Sequence, residues 1–153
     1  MSGATAAAGA AAVPGAGGQA PVFVARLDVR WGDLDAFNHV NNAAYLVYLQ
    51  EARLQWMQGV PDWHGPAGMP VVAGTQLNYR RPIAWPERLA VQLSCTRAGA
   101  TSITLAHRIV SAGDADCLYC DGHVVMVWVD PATGRPAPLP ASIRAAVTAP
   151  PAR

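Results

Sequence analysis

The sequence predicts an α+β domain in which one curled antiparallel sheet of about five strands wraps around one long central helix. Three observations predict it. Five stretches read as strands, most of them with apolar and polar residues alternating at a period of two. One stretch, 43–58, lacks Gly and Pro and repeats apolar residues at helical spacing. The order is strand, helix, then four strands, with Gly99 and Gly113 marking connections suited to antiparallel hairpins.

The elements follow in chain order. Residues 1–20 are expected to form a disordered extension, because 14 of the 20 are Ala or Gly and none is charged. From 21 to 31, Phe23, Ala25, Leu27, Val29 and Trp31 alternate with Val24, Arg26, Asp28 and Arg30, which predicts a strand with one buried face. In the helix, Tyr45, Leu46, Leu49, Ala52 and Trp56 form the apolar stripe, and Gly59 and Pro61 stop it. Its first two turns are apolar nearly all round, so this end is expected to be enclosed. Strands are then expected at 71–79, 89–96, 102–109 and 118–129; the last, ending Val-Val-Met-Val-Trp-Val, reads as buried on both faces and therefore central. The segment 131–153 holds six Pro and is expected to carry one short helix after Pro140. The division is an extension over 1–20, a domain over 21–140 and a tail over 141–153.

Composition excludes several functions. Of 153 residues, 52% are apolar and 14% charged, enough for a hydrophobic core. All 11 basic residues are Arg, set against 10 acidic ones, and they form no stripe, so nucleic-acid binding is not expected. No apolar run reaches the roughly 18 residues of a membrane span. Three Cys and no secretion signal suggest a reducing, cytoplasmic setting without disulfides. An exposed edge on so small a sheet points to a homo-oligomer, dimer or tetramer.

The chemistry concentrates in 30–53. Asp33 and Asp35 follow the first strand, then Asn38, His39, Asn41 and Asn42 precede the helix. A helix start offers unpaired N–H groups and a positive dipole end, which stabilise a developing oxyanion. A neighbouring carboxylate supplies a base for water or a nucleophile. The same residues also suit plain structural work: an Asn cap, Asp residues holding turn amides, and an interior histidine.

Asp35-x-x-x-His39-Val40-Asn41-Asn42-x-x-Tyr45, followed by Glu51-Ala52-Arg53, resembles the hotdog-fold acyl-CoA thioesterases, in particular the hydroxybenzoyl-CoA thioesterase-like branch. The likeness continues through Tyr79-Arg80-Arg81-Pro82, Gly99-Ala100-Thr101-Ser102 and the segment from Val129 to Pro136. It implies a thioester hydrolase acting on a fatty or aromatic acyl-CoA, with Asp35 as the catalytic carboxylate and the Asn42 backbone N–H as oxyanion donor. His39 would orient or polarise the site. Tyr45, Arg80, Arg81 and Ser102 would bind substrate, with at most one of the two arginines gripping phosphate directly, since neighbours on a strand face opposite ways. The resemblance implies no metal and no cofactor. Phe37 stands where the acyl-carrier-protein branch has Asn, and Glu51, the acid of the helix, reads as structural beside Gln55 and Arg53.

Two other readings share these residues. A hydratase or dehydratase would use Asp35 and His39 as an acid–base pair, although the Asn-Pro of that branch is absent. A non-catalytic acyl-CoA-binding module would bind without turnover. Cys117 and Cys120 have redox or zinc spacing, but residues three apart on a strand face opposite ways. His107 reads as a core histidine, Asp121 and His123 share a strand face without an evident partner, and His64 lies in a Pro- and Gly-rich loop over 59–70 that could shape an acyl pocket.

Overall fold

The computed structural model describes residues 20–148; the extension read at the N-terminus lies outside the described residues, apart from Ala20. Five strands, β1 (Phe23–Asp28), β2 (Met69–Tyr79), β3 (Arg88–Ala98), β4 (Ser102–Ser111) and β5 (Leu118–Val129), form one antiparallel sheet in the order β1-β3-β4-β5-β2. Two helices, α1 (Asn42–Gln58) and α2 (Ala141–Thr148), complete the domain. One face of the sheet is buried, carrying Leu89, Val91 and Leu93 of β3, Ile103, Leu105 and Ile109 of β4, and Val124, Met126 and Trp128 of β5. These side chains join Leu49, Ala52 and Trp56 of α1 in one hydrophobic core.

The ends of α1 are built from local signals. The Asn41 side chain accepts the Ala43 N–H at 2.9 Å and so caps the first turn. Gly59 closes the last turn with its N–H on Trp56 O at 3.1 Å. The buried side is broader than the apolar stripe suggested: Tyr48, Arg53 and Met57 join it, whereas Leu46 does not and is 45% exposed. Within the single chain the first two turns are not enclosed all round, for the same reason. Leu46 and Val47 face outward, because α1 lies against β1 and β3 on one side only.

Two further differences come from sheet topology. β5 has a strand on each side, but β4 is the middle strand, and β5 is fully buried on one face only. The apolar residues Val125 and Val127 on its other face are half-buried, as a sheet covered by a helix on one side allows. After Pro140, α2 buries Ile143 and Val147 in the core, and Arg144 Nη2 donates to Gly99 O at 2.7 Å, which ties α2 to the β3–β4 hairpin. No helix among the described residues is long and apolar enough to cross a membrane.

Candidate active site

The loop between β1 and α1 carries two carboxylates with opposite fates. Asp33 ends a 3-10 turn over Trp31–Asp33. Its carboxylate accepts from Arg30 N at 3.1 Å, from Arg30 Nη2 at 2.9 Å and from the Tyr48 hydroxyl at 2.7 Å. Burial opposes its ionisation, but the bonds from Arg30 and Tyr48 outweigh burial and hold the carboxyl below its ordinary value. Burial and the Asp33 partner push the Tyr48 hydroxyl well above its usual range. Asp33 is thus an anchor that fixes the loop to α1.

Asp35 is held more lightly. Its Oδ1 accepts the Phe37 N–H at 2.8 Å, and no other side-chain bond among the described residues involves it. The turn behind it closes through Asp35 N to His39 O at 2.8 Å and Asn38 N to Asp35 O at 3.1 Å, with Asn38 at a φ of 58°, a conformation Asn tolerates better than most residues. Asp35 lines a cleft of about 350 Å³ together with Val40, Asn42, Tyr45, Tyr79, Arg80, Arg81 and Pro82.

The start of α1 opens into the same cleft. Of its first three amides, Ala43 N–H is taken by the Asn41 side chain and Ala44 N–H by Asn41 O at 2.9 Å. The Asn42 N–H has no hydrogen-bond partner among the described residues. Its peptide neighbourhood is held from the other side, since the Tyr79 hydroxyl donates to Asn42 O at 3.1 Å. Tyr79 also meets Tyr45 edge to face, with centroids 5.0 Å apart, and the Tyr45 hydroxyl donates to Arg81 O at 3.3 Å. Val40 N–H bonds Ile83 O at 2.9 Å, which pins the loop after Arg81 against the loop that carries Asp35. Tyr79 belongs to the cleft although it was named only as part of a motif. An aromatic residue closing a strand beside two arginines was its one available signal.

The two arginines divide. Arg80 makes a two-pronged contact with Asp121, both bonds at 3.0 Å, and Asn78 donates to the same carboxylate at 2.9 Å. Asp121 therefore has partners that its sequence position did not reveal. Arg81 is exposed and has no carboxylate partner among the described residues; Nη1 lies 3.9 Å from Cys117 Sγ. Of the two arginines that line the cleft, Arg81 is the one without a carboxylate partner among the described residues.

Two expected site residues are not brought into this cleft within the chain. His39 is exposed, its side chain makes no hydrogen bond among the described residues, and it does not line the cleft, so it forms no acid–base pair with Asp35 here. Ser102 pairs with Val127, whereas Tyr79 pairs with Cys120. Seven residues of strand separate those rows, roughly 23 Å. Glu51 accepts from Gln55 at 2.9 Å on the exposed side of α1, a helical surface pair. Cys120 is buried, which pushes its thiol up to about 12, while Cys117 is half-buried. No group of three or more His, Cys, Asp or Glu among the described residues could hold a metal ion. His64 lines a separate space of about 480 Å³ with Gly65, Pro66, Gly68 and Leu139, near the start of β2 and so at the end of that strand away from Tyr79.

Comparison with known proteins identifies the family. The thioesterase-like superfamily model matches residues 29–147. The PA2801 protein of Pseudomonas aeruginosa is 40% identical and superposes with a TM-score of 0.79 over 84% of this chain and 99% of that one. A thioesterase of Thermus thermophilus, solved with coenzyme A and Zn, is 36% identical with a TM-score of 0.71 over 84% and 99% of the two chains. The long-chain acyl-CoA thioesterase FadM of Escherichia coli (strain K12) is 28% identical over 128 residues, 78% of this chain and 92% of that one. With its five-stranded antiparallel sheet, its helix start open to a cleft and these relatives, the chain belongs to the thioesterase-like superfamily, the hotdog-fold thioesterases.

Proposed function

We propose that this chain hydrolyses acyl-CoA thioesters in the cleft between the 33–42 loop, the start of α1 and the end of β2. One observation carries the reading: Asp35, whose carboxylate accepts a single amide, and Asn42, whose N–H has no partner among the described residues, line the same cleft. The thioester carbonyl oxygen accepts the Asn42 N–H, with the helix dipole behind it. Asp35 then either takes a proton from a water that attacks the carbonyl carbon, or attacks that carbon itself to form an acyl-aspartyl anhydride that a water afterwards hydrolyses, releasing the acid and restoring Asp35. The C–S bond breaks, the electron pair leaves on sulfur, and a thiol of ordinary pKa near 8.5 needs little further help to depart. Arg81 suits a phosphate of coenzyme A, because a free guanidinium binds phosphate oxygens in two prongs. The coenzyme A held by the Thermus relative and the name of FadM support an acyl-CoA ester as substrate.

The sheet reads as the hotdog wrap around α1. Exposed Leu46, Val47 and Leu54 on α1, with Met69, Val71 and Val72 on the unpaired edge of β2, favour a homo-oligomer, dimer or tetramer. Three free cysteines are in keeping with a cytoplasmic location.

The test is thiol release over a panel of aliphatic and aromatic acyl-CoA esters, run with Asp35→Asn alongside. At least one ester turns over in the wild type, and the variant keeps its circular dichroism while losing about 100- to 10,000-fold in kcat. Undiminished turnover by Asp35→Asn removes the assignment, and binding without thiol release makes the chain an acyl-CoA-binding module instead.

A further inference from the structure

Around Asn42 the backbone is bonded on both sides and open at one point. Asn41 N–H donates to Asp33 O at 2.8 Å, and Asn41 O accepts the Ala44 N–H at 2.9 Å. The Ala43 N–H is held by the Asn41 side chain at 2.9 Å, and the Asn42 carbonyl by the Tyr79 hydroxyl at 3.1 Å. The Asn42 N–H has no partner among the described residues. Both peptides that meet at the Asn42 Cα are therefore fixed. The one before it is held through Asn41 O, and the one after it through Ala43 N–H and Asn42 O.

Three of these bonds are made within the 33–44 segment, and the fourth comes from the sheet. Tyr79 closes β2 and lines the cleft with Asp35 and Asn42. Its ring stands edge to face against Tyr45, with an interplanar angle of 81°. Asn42 and Tyr45 are three residues apart on α1 and so share one side of the helix. Tyr79 meets that side at two points, its ring on Tyr45 and its hydroxyl on Asn42.

Stability accounts for little of this arrangement. Tyr79 is 51% exposed, so its ring buries little apolar surface, and a hydrogen bond at a half-exposed site adds little to folding. Partial burial raises the pKa of the Tyr79 hydroxyl above its ordinary value, so the hydroxyl stays protonated and remains a donor. What a fixed frame supplies is a donor aimed in advance. An oxyanion donor is effective because it is oriented before charge develops, and a misplacement of about 1 Å costs up to about 100-fold.

We infer that Tyr79 is a positioning residue of the reaction: its hydroxyl, bonded to the Asn42 carbonyl, holds the start of α1 in the orientation in which the open Asn42 N–H meets the thioester carbonyl oxygen. The inference rests on the acyl-CoA reading above and adds to it a residue that acts through another. Its test is a double-mutant cycle. Thiol release from the ester that the wild type hydrolyses fastest is measured for wild type, Tyr79→Phe, Asn42→Pro and the double variant. Tyr79→Phe keeps the ring and deletes the hydroxyl. Asn42→Pro deletes the N–H through which that hydroxyl acts.

Tyr79→Phe is expected to lower kcat about tenfold with KM nearly unchanged, and to cost less than about twofold once Asn42 is replaced by proline. An equal loss in the proline background overturns the inference, since Tyr79 then acts on Asp35 or on the substrate itself. So does a raised KM at wild-type kcat. So does wild-type kcat per folded molecule in Tyr79→Phe, which is what a merely structural role produces, whatever the melting temperature. A wild type that releases no thiol from any ester removes the hydrolysis reading, and hydrogen exchange then decides the hold. Amides 43–46 exchange faster in Tyr79→Phe when the hydroxyl fixes the turn, and unchanged exchange overturns it.

Discussion

Asp33 and Asp35 stand two residues apart in one loop, and the protein treats them in opposite ways. Asp33 is saturated: Arg30, its backbone and the Tyr48 hydroxyl fill its oxygens. Asp35 keeps one amide and an open cleft. The same division recurs at Arg80 and Arg81. The first is gripped by Asp121, and the second has no carboxylate partner among the described residues. A fully bonded charge has spent its interactions on structure, whereas an under-bonded one beside a cleft still has them to give to a substrate. The helix start repeats the pattern in the backbone, with Ala43 and Ala44 bonded and Asn42 left open.

The contrast can be broken by substitution. Asp35→Asn carries the largest expected effect, the loss in kcat given above with the fold retained. Next comes Asn42→Pro. Proline suits the first position of a helix, and Asn41 already has the extended ψ of 136° that a following proline requires. The change deletes the open N–H together with a side chain that makes no hydrogen bond among the described residues, so kcat is expected to fall about 100-fold with little change in melting temperature, and Asn42→Ala, which keeps the N–H, is expected to stay close to the wild type. A variant as active as the wild type would show that the oxyanion is held elsewhere.

Asp33→Ala should reverse the signature. It strands the Tyr48 hydroxyl, and we expect about 1–3 kcal/mol of lost stability in urea titrations. Its pH dependence sharpens the comparison. The Asp33 carboxyl lies below its ordinary value in the folded protein, so its contribution is present above about pH 4 and fades as the pH falls through the folded value. Acid titrations of wild type and Asp33→Ala should therefore converge at low pH. The smallest effect separates the arginines. Arg81→Ala is expected to raise KM for coenzyme A esters about tenfold, with kcat nearly kept. Arg80→Ala, which frees Asp121, should show its cost in stability first. Equal KM values for the two variants would erase the distinction.

The period-two strands, the helix bounded by Asn41 and Gly59, and the hairpin glycines were legible because each is a local pattern written in neighbouring residues. The residues of the 33–42 loop were legible as candidates for the same reason, since an acid followed by a polar helix start is contiguous in the chain. Partnership was not. The sequence treats Asp33 and Asp35 alike, because Tyr48 reaches Asp33 only once α1 packs beside the loop. It likewise cannot show that Asp121 claims Arg80 across a strand pair. It places Leu46 on the apolar stripe, where side-to-side packing against β1 and β3 leaves it exposed and buries Arg53 in its stead.

Chain chemistry alone therefore determined the elements and the cast of polar residues. Tertiary contact decided which of them remain unsatisfied, because hydrogen-bond saturation depends on neighbours far apart in sequence. Pairings separated by 15 residues, as for Tyr48 and Asp33, or by 41, as for Arg80 and Asp121, exist only after the helix and sheet have met.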